Sequence, residues 1–294
     1  MYDAIVIGNI NIETNIDAVK IPRSDDFEMV NIYERIGGNA IDISVLCSHF
    51  GLRTSMVSSI GMDASGVLPI LEKSKIDYSH LIVSETKTGK CISINLPGET
   101  STFFFKGANK HLIPYGIEHN YLRSAKLIHI CPSNAEILHS IPEKAGDVII
   151  SCQFDPTYPM ESLSQNLNFL FLNSADALNA SGKEDLLEAG KTFLQYGPRN
   201  VIINDRGRRA IVIRPEDQYE VVVTTDKAFD ATDYEDAFYS GFIYRFVKTL
   251  NLKSSLSFGL AFQYFSHKKG NRLLFMDVDD IEDKMYAILR SNNE

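Results

Sequence analysis

The chain has 294 residues, 44% hydrophobic, 23% charged and 10% aromatic, enough for one large packed α/β domain with an accessory piece and too apolar for a disordered chain. Its 29 Lys and Arg against 38 Asp and Glu give a formal charge of -9 with no basic run, which argues against nucleic acid as the main partner, because phosphate binding needs clustered cations. Four scattered cysteines without a CxxC pair, seven dispersed histidines and no run near ~20 apolar residues set aside a disulfide scaffold, a zinc centre and a membrane span, so a reduced cytoplasmic protein is expected.

From the N-terminus, residues 4–7 form a short apolar run that reads as a buried strand. Residues 11–33 alternate with period two and read as antiparallel strands projecting from the body. The run Arg35-Ile36-Gly37-Gly38-Asn39-Ala40-Ile41-Asp42 then sets a glycine pair at the opening of a helix, whose stripe of Ile41, Val45, Leu46 and Phe50 stops at Gly51. Two readings stay open there. The glycines let a ligand approach free N–H donors beside Asp42, or the segment is a tight turn with an acid that suits the helix dipole.

A strand at residues 55–58 and a short helix from Leu68, with Pro69 tolerable in its first turn, come next. Residues 88–106 alternate again around the turn at Pro97-Gly98. The rings of Phe103, Phe104 and Phe105 in that segment cover a substrate, pack the segment itself or meet a second copy. Residues 127–131, 148–152, 169–172 and 201–203 read as further buried strands, and 184–193 as a helix. Asp155 points into a cleft or merely turns the chain before Pro156. Arg206, Arg208 and Arg209 share a loop that meets phosphates or stays solvated. Residues 209–214 and 219–224 make an edge hairpin; 236 to about 268 is nearly all helical pattern, and 281–289 closes the chain with another helix.

Strands alternating with helices imply a doubly wound, mostly parallel sheet with helices on both faces. A single domain over residues 1–294 is expected, with a small β-sheet lid formed by insertions about 11–34 and 88–106. The Walker and GxGxxG patterns are absent. The remaining concentration of chemistry is Asp230-Ala231-Thr232-Asp233-Tyr234-Glu235-Asp236, with four carboxylates in seven residues at a helix start. That exceeds what capping requires, so a metal or proton-transfer role is an open reading beside a plain cap.

Taken in order, these pieces resemble the PfkB or ribokinase-like family of carbohydrate kinases over almost the full length. The stretch from Tyr2 to Glu13 is similar to its first strand, Gly37-Gly38 through Gly51 to its first signature, and Ile60-Gly61-Met62-Asp63-Ala64-Ser65-Gly66 to its GxDxxG segment. Thr88-Gly89, Gly98-Glu99 and Gly107-Ala108-Asn109 fall where the lid hairpin and its return belong, and Asp230 to Phe238 falls on the second signature, DTxGAGDxF.

The resemblance implies an ATP-dependent kinase that phosphorylates a hydroxyl of a sugar or nucleoside, with Asp236 as the catalytic base. It implies Asn11, Glu13, Gly38 and Asp42 as substrate contacts, with Glu13 in place of an Asp and Asp42 in place of an Asn. Nucleotide contacts would be Asn173, Asp205, Gly207, Thr232, Asp233 and Glu235, with a helix around residues 265–270. Asp176, in place of the Glu of an NxxE element, would serve Mg²⁺, and a monovalent cation near Asp230 and Thr232 is bound in some members. A homodimer through the lid is expected as well, because an exposed lid face with open strand edges suits self-association. The departure is in the second signature, where Asp233-Tyr234-Glu235-Asp236 stands for Gly-Ala-Gly-Asp. Three readings follow: a working kinase, a weak or inactive member that binds a sugar, nucleoside or nucleotide, and altered chemistry on the same scaffold.

Overall fold

The computed structural model describes residues 1–291 apart from 22, 24–29, 114, 115, 133, 134, 164, 226, 271 and 272. Part of the segment expected to alternate at 11–33 therefore lies outside the described residues. The elements run β1 (Tyr2–Ile7), β2 (Asn11–Asp17), β3 (Asn31–Gly37), α1 (Asn39–His49), β4 (Thr54–Gly61), α2 (Val67–Lys73), β5 (Asp77–Ser84), β6 (Gly89–Leu96), β7 (Glu99–Phe105), α3 (His119–Leu122), β8 (Ala125–Ile130) and α4 (Ala135–Ala145). They continue with β9 (Ile149–Gln153), β10 (Phe169–Asn173), α5 (Ser174–Ser181), α6 (Leu186–Leu194), β11 (Val201–Asp205), β12 (Arg209–Ile213), β13 (Gln218–Val223), α7 (Glu235–Thr249), α8 (Leu252–Lys269), α9 (Val278–Ile288) and β14 (Leu289–Ser291).

Among the described residues, ten strands form one sheet in the order β14-β13-β12-β11-β10-β9-β8-β1-β4-β5. The strands from β5 to β11 run parallel, and β12, β13 and β14 continue the edge antiparallel. Strand β1 explains the two-sided burial. Ala4 and Val6 enter the core under α1, α7 and α8, whereas Ile5 and Ile7 enter the opposite core with Ile137, Ile141 and Phe193. A strand buried on both faces must be apolar throughout, which is why it reads as a continuous run and not an alternation. Among the described residues no helix is long and apolar enough to cross a membrane.

The second sheet has the order β3-β2-β6-β7 and is the small separate sheet expected from the two alternating segments. Its register puts Ile12, Ile16, Ile32, Ile92, Phe103 and Phe105 on one face. Glu13, Arg35, Cys91 and Phe104 occupy the other.

Three local expectations change. The helical pattern from 236 to 268 is two helices, because Leu250 turns left-handed (φ 52) and Asn251 caps α8 by accepting from Ser254 N at 2.9 Å. The small residues then do their work between these helices: a Cβ on Gly241 would lie 3.0 Å from Gly259 Cα, so the two backbones approach as only glycine permits. Strand β5 and helix α4 go unannounced in the sequence, β5 because it is a half-exposed edge of mixed polarity with a short apolar run and α4 because Pro142 sits inside it. The closing helix ends at Ile288, and the chain returns to the sheet as β14.

Candidate active site

The loops leaving the carboxyl ends of β1, β8, β9, β10 and β11 meet two helix starts, the place where open α/β sheets gather ligands. Helix α1 begins after Gly38, whose φ of 104 excludes most side chains and whose Cβ would stand 2.6 Å from Asn9 O. No side chain caps α1, and none caps α7 at Tyr234. Both helices thus turn their first N–H donors toward the cleft.

The link between them is Asn39, which donates from Nδ2 to Asp236 Oδ1 at 2.9 Å. Asp236 is half-buried. Burial, then the Asp42 and Glu13 carboxylates, push its carboxyl up to about 7. Asp42 itself is buried and takes a two-pronged bond from Arg35, Nη1 to Oδ1 at 3.2 Å and Nη2 to Oδ2 at 2.9 Å. Arg35 Nη2 also reaches Glu13 Oε2 at 2.7 Å. One guanidinium therefore ties two lid strands to α1. Burial alone would lower its pKa, but Asp42 and then Glu13 hold it above the usual value. Asn11 is buried and accepts from Asn109 Nδ2 at 2.8 Å. Four residues expected to contact substrate (Asn11, Glu13, Gly38 and Asp42) do converge below the lid, with Arg35 and Asn109 added.

A cavity of about 250 Å³ opens beside them, lined by Asn39, Gln153, Asp155, Asn173, Asp176, Glu235 and Tyr239 among others. Asn173 caps α5 by accepting from Asp176 N at 2.7 Å and returns Nδ2 to Asp176 Oδ2 at 2.8 Å. Burial, opposed by that bond and aided by Asp155, raises the Asp176 carboxyl. Glu235 accepts from the buried Tyr239 hydroxyl at 3.2 Å, and burial, then the neighbouring Asp236, Asp176 and Asp233 carboxylates, push it up to about 8. Underneath, His129 is driven down to about 3 by burial. Gln153 Nε2 stands 3.0 Å from His129 Nε2 and Ser151 Oγ 2.8 Å from Nδ1, which gives a neutral ring with its proton on Nδ1.

The remaining expected nucleotide contacts divide. Asp205 is only 8% exposed and accepts from Arg209 Nε at 3.1 Å and Arg208 Nη2 at 3.4 Å, and with these arginines it lines a second cavity beside Val222 and Phe229. Gly207 N donates to Asn204 Oδ1 at 2.8 Å, and Asn204 holds Gln263, whose Nε2 donates to Ala231 O at 2.9 Å. This buried chain locks the β11 turn and α8 against the entrance of α7. Thr232 is exposed and donates through N and Oγ1 to Asp230 Oδ1 at 3.0 and 2.6 Å; Asp233 is exposed as well. The segment at 265–270 is the end of α8, where the ring of His267 meets Tyr234 edge-on at 5.5 Å.

Asp155 resolves as both a turn and a wall. Its Oδ1 accepts from Thr157 N at 2.9 Å, yet it lines the cavity. Asp63 of the GxDxxG segment accepts from Thr88 N at 2.8 Å and Thr88 Oγ1 at 2.7 Å, which makes it a brace for the lid's return. The residues not named as site residues from the sequence are Arg35, Asn39, Asn109 and Tyr239. Tyr239 had a signal, since it lies four residues after Glu235 on one helix face.

The pfkB family carbohydrate kinase model matches residues 1–268. An ATP-dependent 6-phosphofructokinase of Thermoanaerobacterium thermosaccharolyticum is 26% identical, with 98% of this chain and 94% of that protein covered. The crystal structure of the Methanocaldococcus jannaschii nucleoside kinase superposes with a TM-score of 0.82 at 21% identity, covering 97% of this chain and 98% of that one. The Arabidopsis thaliana ribokinase solved with ribose and ATP gives 0.85 at 16% identity, covering 97% and 98%.

Proposed function

The chain belongs to the pfkB family of carbohydrate kinases, and from that premise we propose that it transfers the γ-phosphate of ATP to a hydroxyl of a sugar or nucleoside. The observation that carries this reading is the meeting of two uncapped helix starts over one carboxylate, Asp236, that titrates at about 7. A base with a pKa near the working pH accepts a hydroxyl proton and still releases it. Asn39 orients Asp236, while Asn11, Glu13 and Asp42, braced by Asn109 and Arg35, bind the acceptor's hydroxyls. The first N–H groups of α7 face the charge that develops on the transferred phosphoryl group. Phe104, on the same lid face as Glu13, offers a ring to an acceptor's apolar side. ATP as donor is supported by the ribokinase neighbour solved with ribose and ATP.

The donor set suits Mg²⁺. Asp176 and Glu235 carboxyls are both held above their usual range, as oxygen donors gathered without a cation would be. Among the described residues no three His, Cys, Asp or Glu side chains converge on one point, so these two carboxylates with Asn173 would hold the ion together with phosphate oxygens and water. Bound there, Mg²⁺ would supply charge neutralisation for the phosphates.

The acidic Asp233-Tyr234-Glu235 run favours a second reading, a relative that binds its ligands with little phosphoryl transfer. ADP release measured with Mg-ATP and a panel of sugars and nucleosides decides between them. Acceptor-dependent release above the ATP-only background is expected; Mg-ATP binding without any acceptor-dependent release would favour the second reading.

A homodimer through the lid belongs to the same proposal. Ile32, Phe103 and Phe105 are 57%, 61% and 51% exposed on one lid face, a clustering of large apolar groups that a partner surface would cover. Replacing Phe103 and Phe105 together by serine is expected to convert a dimer to a monomer in light scattering at micromolar concentration. A parent that is already monomeric there would sink the lid interface.

A further inference from the structure

Arg206 is one of three non-glycine residues with positive φ among the described residues, at 56. A left-handed backbone is unfavourable for any residue with a Cβ, and such strain persists where the side chain has a task. Its carbonyl accepts from Ala231 N at 2.9 Å, so the loop after β11 is stitched to the residue that leads into Thr232 and the start of α7. Among the described residues its guanidinium has one loose ionic neighbour, Asp230 Oδ2 at 3.6 Å, with the two side chains 57% and 53% exposed.

The other two arginines of that loop have closer carboxylate partners. Arg208 and Arg209 share Asp205, and Arg209 also reaches Glu220 at 3.0 Å. Asp230, by contrast, leans on Thr232 more than on Arg206. Partial burial alone would raise its carboxyl, but the two Thr232 bonds first, and then the Arg206 and Arg208 charges, hold it below the usual value, and the group is 53% exposed. Arg206 can therefore leave without stranding a buried charge.

The acids at this edge (Asp176, Asp230, Asp233 and Glu235) make a phosphate-binding cation necessary wherever a triphosphate is to sit. Resting on the kinase reading above, we propose that Arg206 is the side chain that meets the nucleotide phosphates, leaving Asp230 to do so and standing in for the glycine-lined anion hole that Asp233-Tyr234-Glu235 replaces. A guanidinium suits this task because it donates in a fork to phosphate oxygens and stays charged at every working pH.

The test compares the parent with Arg206→Gly and Arg206→Lys, using calorimetric titration with Mg-ATP and with adenosine, plus thermal melts of the free proteins. Arg206→Gly is expected to weaken ATP binding by roughly ten- to a hundredfold, the worth of a charge-assisted hydrogen bond, while adenosine binding is unchanged. The same variant is expected to melt about 2 °C higher, because glycine relieves the left-handed backbone. Arg206→Lys should retain an intermediate ATP affinity with no gain in melting temperature. If the parent binds ATP and Arg206→Gly binds it equally well, this proposal falls and the kinase reading stands. Weaker ATP binding together with a lowered melting temperature would assign Arg206 a structural role and also overturn it. A parent that binds no ATP would remove the kinase reading and this proposal with it.

Discussion

Replacing Asp236 by asparagine is expected to lower kcat by about a thousandfold, the contribution of a positioned general base, while raising the melting temperature of the free protein at about pH 8. Both effects have one cause. In the folded chain burial, then the Asp42 and Glu13 carboxylates, push the carboxyl from an ordinary 3.8 up to about 7. The folded state thus holds the proton more tightly than the unfolded state. Its stability contribution is fully present below the unfolded pKa and is lost as pH rises through about 7. Asparagine keeps the oxygen that Asn39 addresses and never ionises. The difference in melting temperature between variant and parent should therefore grow from about pH 5 to about pH 8. Turnover by the variant equal to the parent's would remove Asp236 from the chemistry. A difference that does not change with pH would mean its carboxyl is not crowded.

Glu235→Gln is expected to tighten ATP binding in the absence of Mg²⁺ by roughly tenfold or more at about pH 9, and to change it little at about pH 6. In the parent the Glu235 carboxyl is pushed up to about 8, so below that pH it is neutral and above it a charge faces the phosphates. ATP affinity of the parent without metal should fall as pH rises through about 8, and that of the variant should stay flat. Glutamine still accepts from the Tyr239 hydroxyl, so the helix start is undisturbed. Mg²⁺ should narrow the gap, since the cation screens the carboxylate. Titration of both proteins at the two pH values, with and without Mg²⁺, checks this. A pH-independent parent would mean that Glu235 does not face the nucleotide. The structure also separates the two acids that the altered signature introduced. Asp233 is exposed and screened by solvent, whereas Glu235 lines the cavity.

What was legible in the sequence was whatever leaves a local period. The parallel strands show as unbroken apolar runs because both their faces are buried, and the lid segments show as alternation because the residues of its two faces differ in polarity. The cluster of four carboxylates at the start of α7 was legible from its crowding within seven residues, whereas the choice of Asp236 among them is what the family resemblance implies. Strand β5 was not legible, because its one apolar run, Leu81-Ile82-Val83, is short and only partly buried at the sheet edge. The split between α7 and α8 at Leu250 was overridden by the apolar pattern on either side.

The site's working contacts were decided by tertiary structure alone. Asn39 and Asp236 are 197 residues apart, and Arg35 reads as one more surface charge until β2, β3 and α1 bring Glu13 and Asp42 to it. Asp205, expected at the nucleotide, also pairs with Arg208 and Arg209, three and four residues on. Periodicity reports how each residue is buried, which is a local property. The partner of a buried charge is set by which distant strands and helices pack together, and no spacing along the chain encodes it.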